Sequence, residues 1–565
     1  MFSKLMKFNY LMINTISVNT LKCKSNVNYS QYRSQSSMRT SIDVQNDSFI
    51  TTPIFYVNSV PHIGHLYSAI IADTIHRFNR LLAKGETIFS TGTDEHGIKI
   101  QRAAQLNGIE TKVFCDQISH EFRSLFKLSD ISFTHFVRTT DESHINAVKR
   151  FWSTIMNNGF IYKSSYEGWY CCSDETFVSE SRTFINEDKV RVSVESGNPV
   201  EWSAEDNYIF KLSLFKNSIL DWINSGQVFK PPVFGDILKH EVEKDLRDIS
   251  ISRPKSRVNW GIEVPNDSSQ VIYVWFDALI NYLTVSGYPN NLNHLWPPTC
   301  QVIGKDILKF HGIYWPAFLM AAGLDPPKTL LCHSHWLKDD IKMSKSRGNV
   351  IDPFESIKTF TSDGFRYFLL RQGSLHTDSN YNELKVKQYL NAELADTYGN
   401  LLSRCTSKAI NKKQIYPKFS LDDIKLVECE SLQLINLTKQ LPTICKDYYL
   451  SGNFHLVINE IMNCLRMNNN FFNDMKPWLL AKQDNEEYKL QMVLYITLET
   501  LRVCSILLQP IVPNLSNQVL NKLNISLTER LWINAEQAFY SNDYMSESIK
   551  LKPLSLQKSI IFAKI

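Results

Sequence analysis

Residues 48–65 read Ser-Phe-Ile-Thr-Thr-Pro-Ile-Phe-Tyr-Val-Asn-Ser-Val-Pro-His-Ile-Gly-His, and the order of residue types in this stretch decides the fold. The β-branched and aromatic run from Phe49 to Val57 predicts a strand over 48–57. Asn58, Ser59 and Pro61 interrupt it, and a helical pattern starts at once with Leu66, Ala69, Ile70, Asp73, Phe78 and Leu81. Two imidazoles, His62 and His65, therefore fall where a strand hands over to a helix N-terminus. Orphan backbone N–H groups and the positive end of the helix dipole suit an anion there. Gly64, between them, lets a ligand approach the backbone.

Working outward, helices over 65–84 and 97–107 alternate with a strand over 86–92. Across residues 43–165 that alternation implies an α/β fold with a parallel, doubly wound sheet. Ligands bind such sheets beyond the carboxyl ends of the strands, at the topological switch point. Tyr56, His62, His65 and Asp94 all fall at strand ends and would share one cleft. Asp94, within Thr91-Gly92-Thr93-Asp94-Glu95-His96-Gly97, would also suit the cap of the following helix. Residues 271–285 read as a return to the sheet leading into a helix, and Gln301-Val302-Ile303 runs into Gly304-Lys305-Asp306 as another strand-to-helix junction. Lys342-Met343-Ser344-Lys345-Ser346 forms a basic, polar loop after a further strand-like run. From about residue 384 long helical patterns over 384–410, 430–449, 453–472 and 486–509 predict a helical bundle.

The 565 residues exceed one ordinary core, so two or more domains are expected. No stretch approaches the roughly 18 consecutive apolar residues of a membrane helix. Eleven cysteines, an odd number without regular spacing, favour free thiols in a reducing compartment. The net charge of +4 is local in origin: residues 1–42 hold six Lys and Arg and no acid, so the remainder is −2 and gives no global signal for RNA. In that leader Phe2, Leu5, Met6, Phe8, Leu11 and Met12 are interleaved with lysines among Ser and Asn. This is the composition of a mitochondrial transit peptide, with a disordered extension as the alternative.

Pro61-His62-Ile63-Gly64-His65 resembles the HIGH signature of class I aminoacyl-tRNA synthetases, and Lys342–Ser346 is identical to their KMSKS signature. Over about residues 48–535 the chain is similar to the methionyl branch of that class, in its organellar, zinc-free form. The resemblance implies a Rossmann-type catalytic domain in two halves, 43–165 and 263–383, interrupted by a connective domain and return helices at 166–262. A helical anticodon-binding domain would follow at 384–535, then a tail at 536–565 that folds back onto the catalytic domain. The implied reaction joins L-methionine to ATP as methionyl-adenylate and then transfers methionine to tRNA(Met).

Residue by residue, the resemblance gives catalytic roles to His62, His65, Lys342 and Lys345, assisted by Mg²⁺. It assigns ATP to Gly64, Gly304, Asp306, Ser344 and Lys345, and methionine to Ile54, Tyr56, Asp94, Trp275, Tyr282, Ile307 and His311. Asn400, Arg404 and Trp478 would read the CAU anticodon. Asn400 and Arg404 lie one helical turn apart, and single-stranded bases are read by stacking and edge hydrogen bonds. Many relatives hold zinc with paired Cys-x-x-Cys units in the connective domain. Here Asp174 follows Cys171-Cys172-Ser173, and no Cys or His appears from there to Val200, so structural zinc is not expected.

An aromatic, polarisable pocket suits a thioether. Such a pocket separates substrates differing by one methylene by only about 1–3 kcal/mol. The roughly 280 residues between the signatures, from His62 to Lys342, leave no room for an editing domain beside the insert, which favours methionine over branched aliphatics. Leucine or cysteine activation, and a retired paralogue that only binds tRNA, stay as alternatives. A monomer without membrane association, working in the mitochondrial matrix, is expected. Residues 1–45 fused to a fluorescent reporter should direct it to mitochondria; a diffuse cytosolic signal would overturn the leader reading.

Overall fold

Pro53 divides the strand predicted over 48–57. The computed structural model describes residues 47–565 apart from 84, 172–174, 195–196, 227, 293, 344–347, 419–424, 426, 540–552 and 556–560, so the leader at 1–42 lies outside the described residues. Within it, Ser48–Thr51 and Phe55–Tyr56 are separate strands. Proline has no N–H for the ladder, and the chain leaves the pairing around it. Both pieces run parallel to Thr87–Asp94, with Ser48 opposite Thr87 and Tyr56 opposite Asp94.

The main sheet has seven strands, and every pairing in it is parallel. Its order from one edge is Phe229–Lys230, Leu330–His333, Cys300–Gly304, Ser48–Thr51 and Thr87–Asp94, where His135–Arg138 covers the far side. The chain leaves Ser48–Thr51 toward Thr87–Asp94 and returns much later to its other side at Cys300–Gly304. That reversal is the switch point. Alternate side chains face opposite ways: Val302 and Leu331 enter one apolar cluster, Ile303, Leu330 and Cys332 the other. Both faces are covered, as parallel sheets require.

The insert carries a long antiparallel hairpin, Ile161–Cys171 with Glu201–Phe210. The expected return to the sheet at 271–285 is corrected: Asp267–Ile272 belongs to a separate three-stranded antiparallel sheet with Ser252–Pro254 and Glu263–Val264. The sheet resumes earlier, at Phe229–Lys230. An apolar run followed by a helix looks the same in either sheet, because periodicity does not name the partner strand.

The first helix, Ile63–Leu81, buries nearly its whole length, including Asp73. Downstream, Glu383–Tyr389, the π-helical Leu390–Gly399 and Asn400–Cys405 form one continuous helical stretch. Glu428–Ser451, Phe454–Asp474 and Glu487–Leu508 pack beside it. Glu487–Leu508 is long and apolar enough to pass for a membrane span, yet it is buried as the central helix of the bundle. The tail, expected on the catalytic domain, is corrected: its described residues fold back mainly onto this helical region, where Ile565 and Asn391 exchange hydrogen bonds and Leu554 donates to the Gln414 carbonyl.

One guanidinium joins the first helix to the bundle. Arg366 Nη2 lies 2.6 Å from Asp73 Oδ2, both fully buried, and the same side chain donates to the carbonyls of Ser129, Pro510 and Ile511. Arg77 and Ser132 supply further donors to Asp73. Burial alone would raise the Asp73 pKa, but Arg366 and Arg77 hold it below the ordinary value. Removing one partner leaves a buried charge uncompensated. Arg366→Met should therefore cost about 3–5 kcal/mol in urea unfolding; an unchanged midpoint would show that the pair does not hold the two regions together.

Candidate active site

The carboxyl ends of the parallel strands meet the N-terminus of Ile63–Leu81. His62 is its N-cap, with an extended backbone. Its Nδ1 accepts from Gly64 N–H at 3.0 Å, and His65 Nδ1 accepts from His62 N–H at 3.2 Å. Two imidazoles thus make the reciprocal cap that Ser and Glu make elsewhere. With Nδ1 committed as acceptor, each neutral ring carries its proton on Nε2. The rings stack 3.8 Å apart. A Cβ at Gly64 would meet His62 Cε1 at 2.8 Å, so glycine is required for this cap.

Across the switch point Gly304 ends its strand and Asp306 follows in the short turn Lys305–Ile307. The Asp306 side chain keeps 54% exposure and its Oδ1 lies 3.2 Å from His335 Nε2. Crowding pushes its carboxyl pKa up, but His335 and the charge of Lys342 outweigh that and hold it well below the usual range. Lys342 lies in the two-residue strand Ile341–Lys342. Ser344 and Lys345 lie outside the described residues. A second link runs from the histidine helix: Ser68 Oγ lies 2.7 Å from His333 Nε2, two residues before His335. The histidine helix therefore lies against the strand end at His333, which is paired with Gly304 in the sheet.

The apolar side of the cleft is built from distant segments. Tyr56, Trp275 and Ile307 pack on the cluster that contains Tyr282. Trp275 stacks on Phe310 at 3.7 Å. His311 sits in the π-turn Phe310–Tyr314; its Nδ1 lies 3.1 Å from the Ile307 carbonyl and donates to it, which leaves Nε2 to accept from the Tyr282 hydroxyl at 2.8 Å. Ile54 is half-buried in the gap between the two short strands.

Asp94 ends its strand beside Tyr56 and is 8% exposed. Burial, and then the negative charges of Asp277 and Glu175, push its carboxyl pKa well above the ordinary value. The expected capping role is corrected: Gly97 is the N-cap of Ile98–Leu106, and Asp94 reaches only the His96 N–H at 3.5 Å. A buried carboxylate raised this way gains from a primary ammonium ion placed against it.

Several residues around the site escaped the sequence reading. Glu95 is fully buried and takes two bonds from Arg138 at 2.7 and 2.9 Å. His96 and His144 flank the buried Asp277 at 2.7 Å each. Asp277 stands next but one to Trp275 on the helix Val274–Leu279, so this network ties the end of the Asp94 strand to the aromatic wall. Glu95 and His96 stood inside the quoted block and were legible as candidates. His144 carried no local signal.

In the bundle, Arg404 lies 5.8 Å from the Trp478 ring centroid and 4.9 Å from that of Phe472, and donates to Asn473 Oδ1. Trp478 is 37% exposed, and Asn400 is exposed one turn away. Cys171 is buried; Cys172 and Asp174 lie outside the described residues. Among the described residues no three His, Cys, Asp or Glu side chains are grouped to hold a metal ion.

A family model described as tRNA synthetases class I (M) matches residues 48–406. The chain is 47% identical over 481 residues to the mitochondrial methionine–tRNA ligase of Xenopus laevis, covering 84% of this chain and 85% of that one. It is 45% identical to the human mitochondrial methionine–tRNA ligase over 502 residues, 86% of this chain and 85% of that one. A solved structure of Mycobacterium tuberculosis methionyl-tRNA synthetase in complex with methionyl-adenylate superimposes with a TM-score of 0.84 at 32% identity, covering 92% of this chain and 99% of that chain. This chain belongs to the class I methionyl-tRNA synthetase family. The Rossmann-type sheet and the helical C-terminal region are those of the family.

The inner histidines of this synthetase site are neutral at physiological pH. Burial lowers the pKa of His311 and of His333 from 6.5 to about 4. Unfolding lets each take up a proton once the pH drops below about 6.5, so the folded form loses stability as pH falls from there toward 4. The urea midpoint should fall between pH 7 and pH 5, and fall less in His333→Gln. An identical fall in the variant would remove His333 from this account.

Proposed function

We propose that this chain charges tRNA(Met) with L-methionine in the mitochondrial matrix, as a monomer, using ATP. The observation that carries the reading is that the His62–His65 cap opens a helix whose Ser68 bonds His333, the sheet partner of Gly304, while Tyr56 lies opposite Asp94 and packs with Trp275 on the cluster of Tyr282. Relatives that share 84–86% of this chain are named as mitochondrial methionine–tRNA ligases, which supports both the substrate and the compartment.

In the first step the methionine carboxylate attacks the α-phosphate of ATP and pyrophosphate leaves. The substrate brings its own nucleophile, so the protein has to position the reactants and stabilise charge. Asp94 holds the ammonium group, and Ile54, Tyr56, Trp275, Tyr282, Ile307 and His311 enclose the thioether. The Nε2–H groups of His62 and His65 face charge developing on the phosphate oxygens. Lys342, Lys345 and Ser344 close on the triphosphate, Gly64 lets it approach the helix end, and Gly304 and Asp306 seat the ribose. A loop that closes over reactants and opens again suits a two-step reaction. The described residues offer no cage for Mg²⁺, which would arrive on the triphosphate itself with its water ligands. In the second step the terminal adenosine hydroxyl of tRNA attacks the adenylate carbonyl and AMP leaves. Asn400, Arg404 and Trp478 read the anticodon, with the Arg404 guanidinium and the Trp478 ring as stacking platforms.

His65→Ala and Lys345→Ala should each lower methionine-dependent ATP–pyrophosphate exchange by about 10²–10³-fold, the usual loss for one transition-state donor. Near-normal exchange in both variants would remove the assignment.

A further inference from the structure

The insert sends one side chain back to the cleft. Glu175 directly precedes the short strand Thr176–Val178, and its φ of +53° lies in the left-handed region. It is 6% exposed. Its Oε2 accepts from the Tyr56 hydroxyl at 2.8 Å, and its Oε1 accepts from the Lys99 backbone N–H at 3.1 Å. Tyr56 and Glu175 are 119 residues apart, on the first part of the sheet and on the insert.

The surrounding backbone is shaped for this bond. Gly97 adopts φ +109°, and a Cβ there would lie 2.4 Å from the Tyr56 hydroxyl oxygen and 2.9 Å from Glu175 Oε1. Its N–H is held by the Trp260 carbonyl at 3.0 Å. Any larger residue would push the tyrosine and the glutamate apart. A left-handed non-glycine residue persists only where its surroundings over-determine it. Both carboxylate oxygens of Glu175 are engaged, and each holds a different piece of the cleft wall. A hydrogen bond to a carboxylate is stronger than one to a neutral acceptor. A Tyr56 ring that swung away would strand a buried carboxylate.

We infer that Glu175 is a positioning residue for methionine: through its carboxylate the insert fixes the Tyr56 ring as one wall of the amino-acid pocket. This rests on the reading of Tyr56 as a methionine-binding residue. The insert then contributes to amino-acid binding through the bond from this side chain to Tyr56.

The test is ATP–pyrophosphate exchange by the full-length enzyme, with methionine and ATP varied in turn. Glu175→Ala should raise the KM for methionine about tenfold and leave the KM for ATP within about twofold. Glu175→Gln keeps a weaker acceptor in place and should recover most of that loss, leaving the KM for methionine about threefold above the parent. The coupling is read in the Tyr56→Phe background, where neither Glu175 variant should weaken methionine further, because the bond they remove is already gone. A brace that only stabilises the fold would lower the melting temperature and spare the methionine KM. If Glu175→Ala does not fold, Glu175→Gln alone decides, in the parent and in Tyr56→Phe: the proposal requires a rise of about threefold in the first and none in the second. A methionine KM unchanged in the variants that fold, an equal rise for ATP, or losses that multiply with Tyr56→Phe would each overturn the inference. Absence of methionine-dependent exchange in the parent enzyme would instead overturn the reading of the pocket itself.

Discussion

Asp73 and Arg366 meet where no water reaches, and the orientation of the helix Ile63–Leu81 depends on that meeting. Asp73 is two to three turns along the helix that His62 and His65 begin. Arg366 spends its remaining donors on the carbonyls of Ser129, Pro510 and Ile511, so one planar cation is shared by the first helix, the end of Thr111–Leu128 and the end of Glu487–Leu508. A buried pair of this kind gives little net stability over an apolar substitute, because desolvating both charges is costly. What it supplies is direction. An apolar contact would tolerate a turn of the helix, while an ion pair whose cation is tied to four partners fixes its rotation, and hence the aim of the two imidazoles.

The field across the cleft is divided. Carboxylates gather around Asp94, and the charges of Asp277 and Glu175 add to burial in raising its pKa. Asp277 is quieted by His96 and His144, whose pull overcomes the burial that would raise its pKa, whereas Asp94 is left high. Against them stand the positive N-terminus of Ile63–Leu81 and Lys342. The two buried neutral histidines, His311 and His333, hold Tyr282 and Ser68 without adding charge to either side.

Much of this was legible from residue order. The strand-to-helix turn at 58–65, the second signature and the helical periods after 384 are local patterns, and local patterns survive translation into structure: the helices at Ile63–Leu81, Phe454–Asp474 and Glu487–Leu508 fall within a few residues of their predicted spans. The mistakes came where partner choice mattered. The apolar run that begins at Val271 looks like a strand of the main sheet, but which sheet Asp267–Ile272 joins depends on contacts with 252–254 and 263–264. Pro53 was visible in the sequence, and its effect on the ladder was missed because the flanking residues are strongly β-forming.

By itself the sequence determined the class of fold and the chemistry-bearing motifs, because hydrophobic period and turn residues act over a few neighbours. Only the tertiary structure decided that His144 would serve Asp277, that Glu175 of the insert would hold Tyr56, and that Arg366 would lock the helix of the histidines. Those pairs are 133, 119 and 293 residues apart in the chain, and no local propensity encodes them. They exist because desolvated charges must find partners when the elements pack, and the partner is whichever side chain the topology delivers.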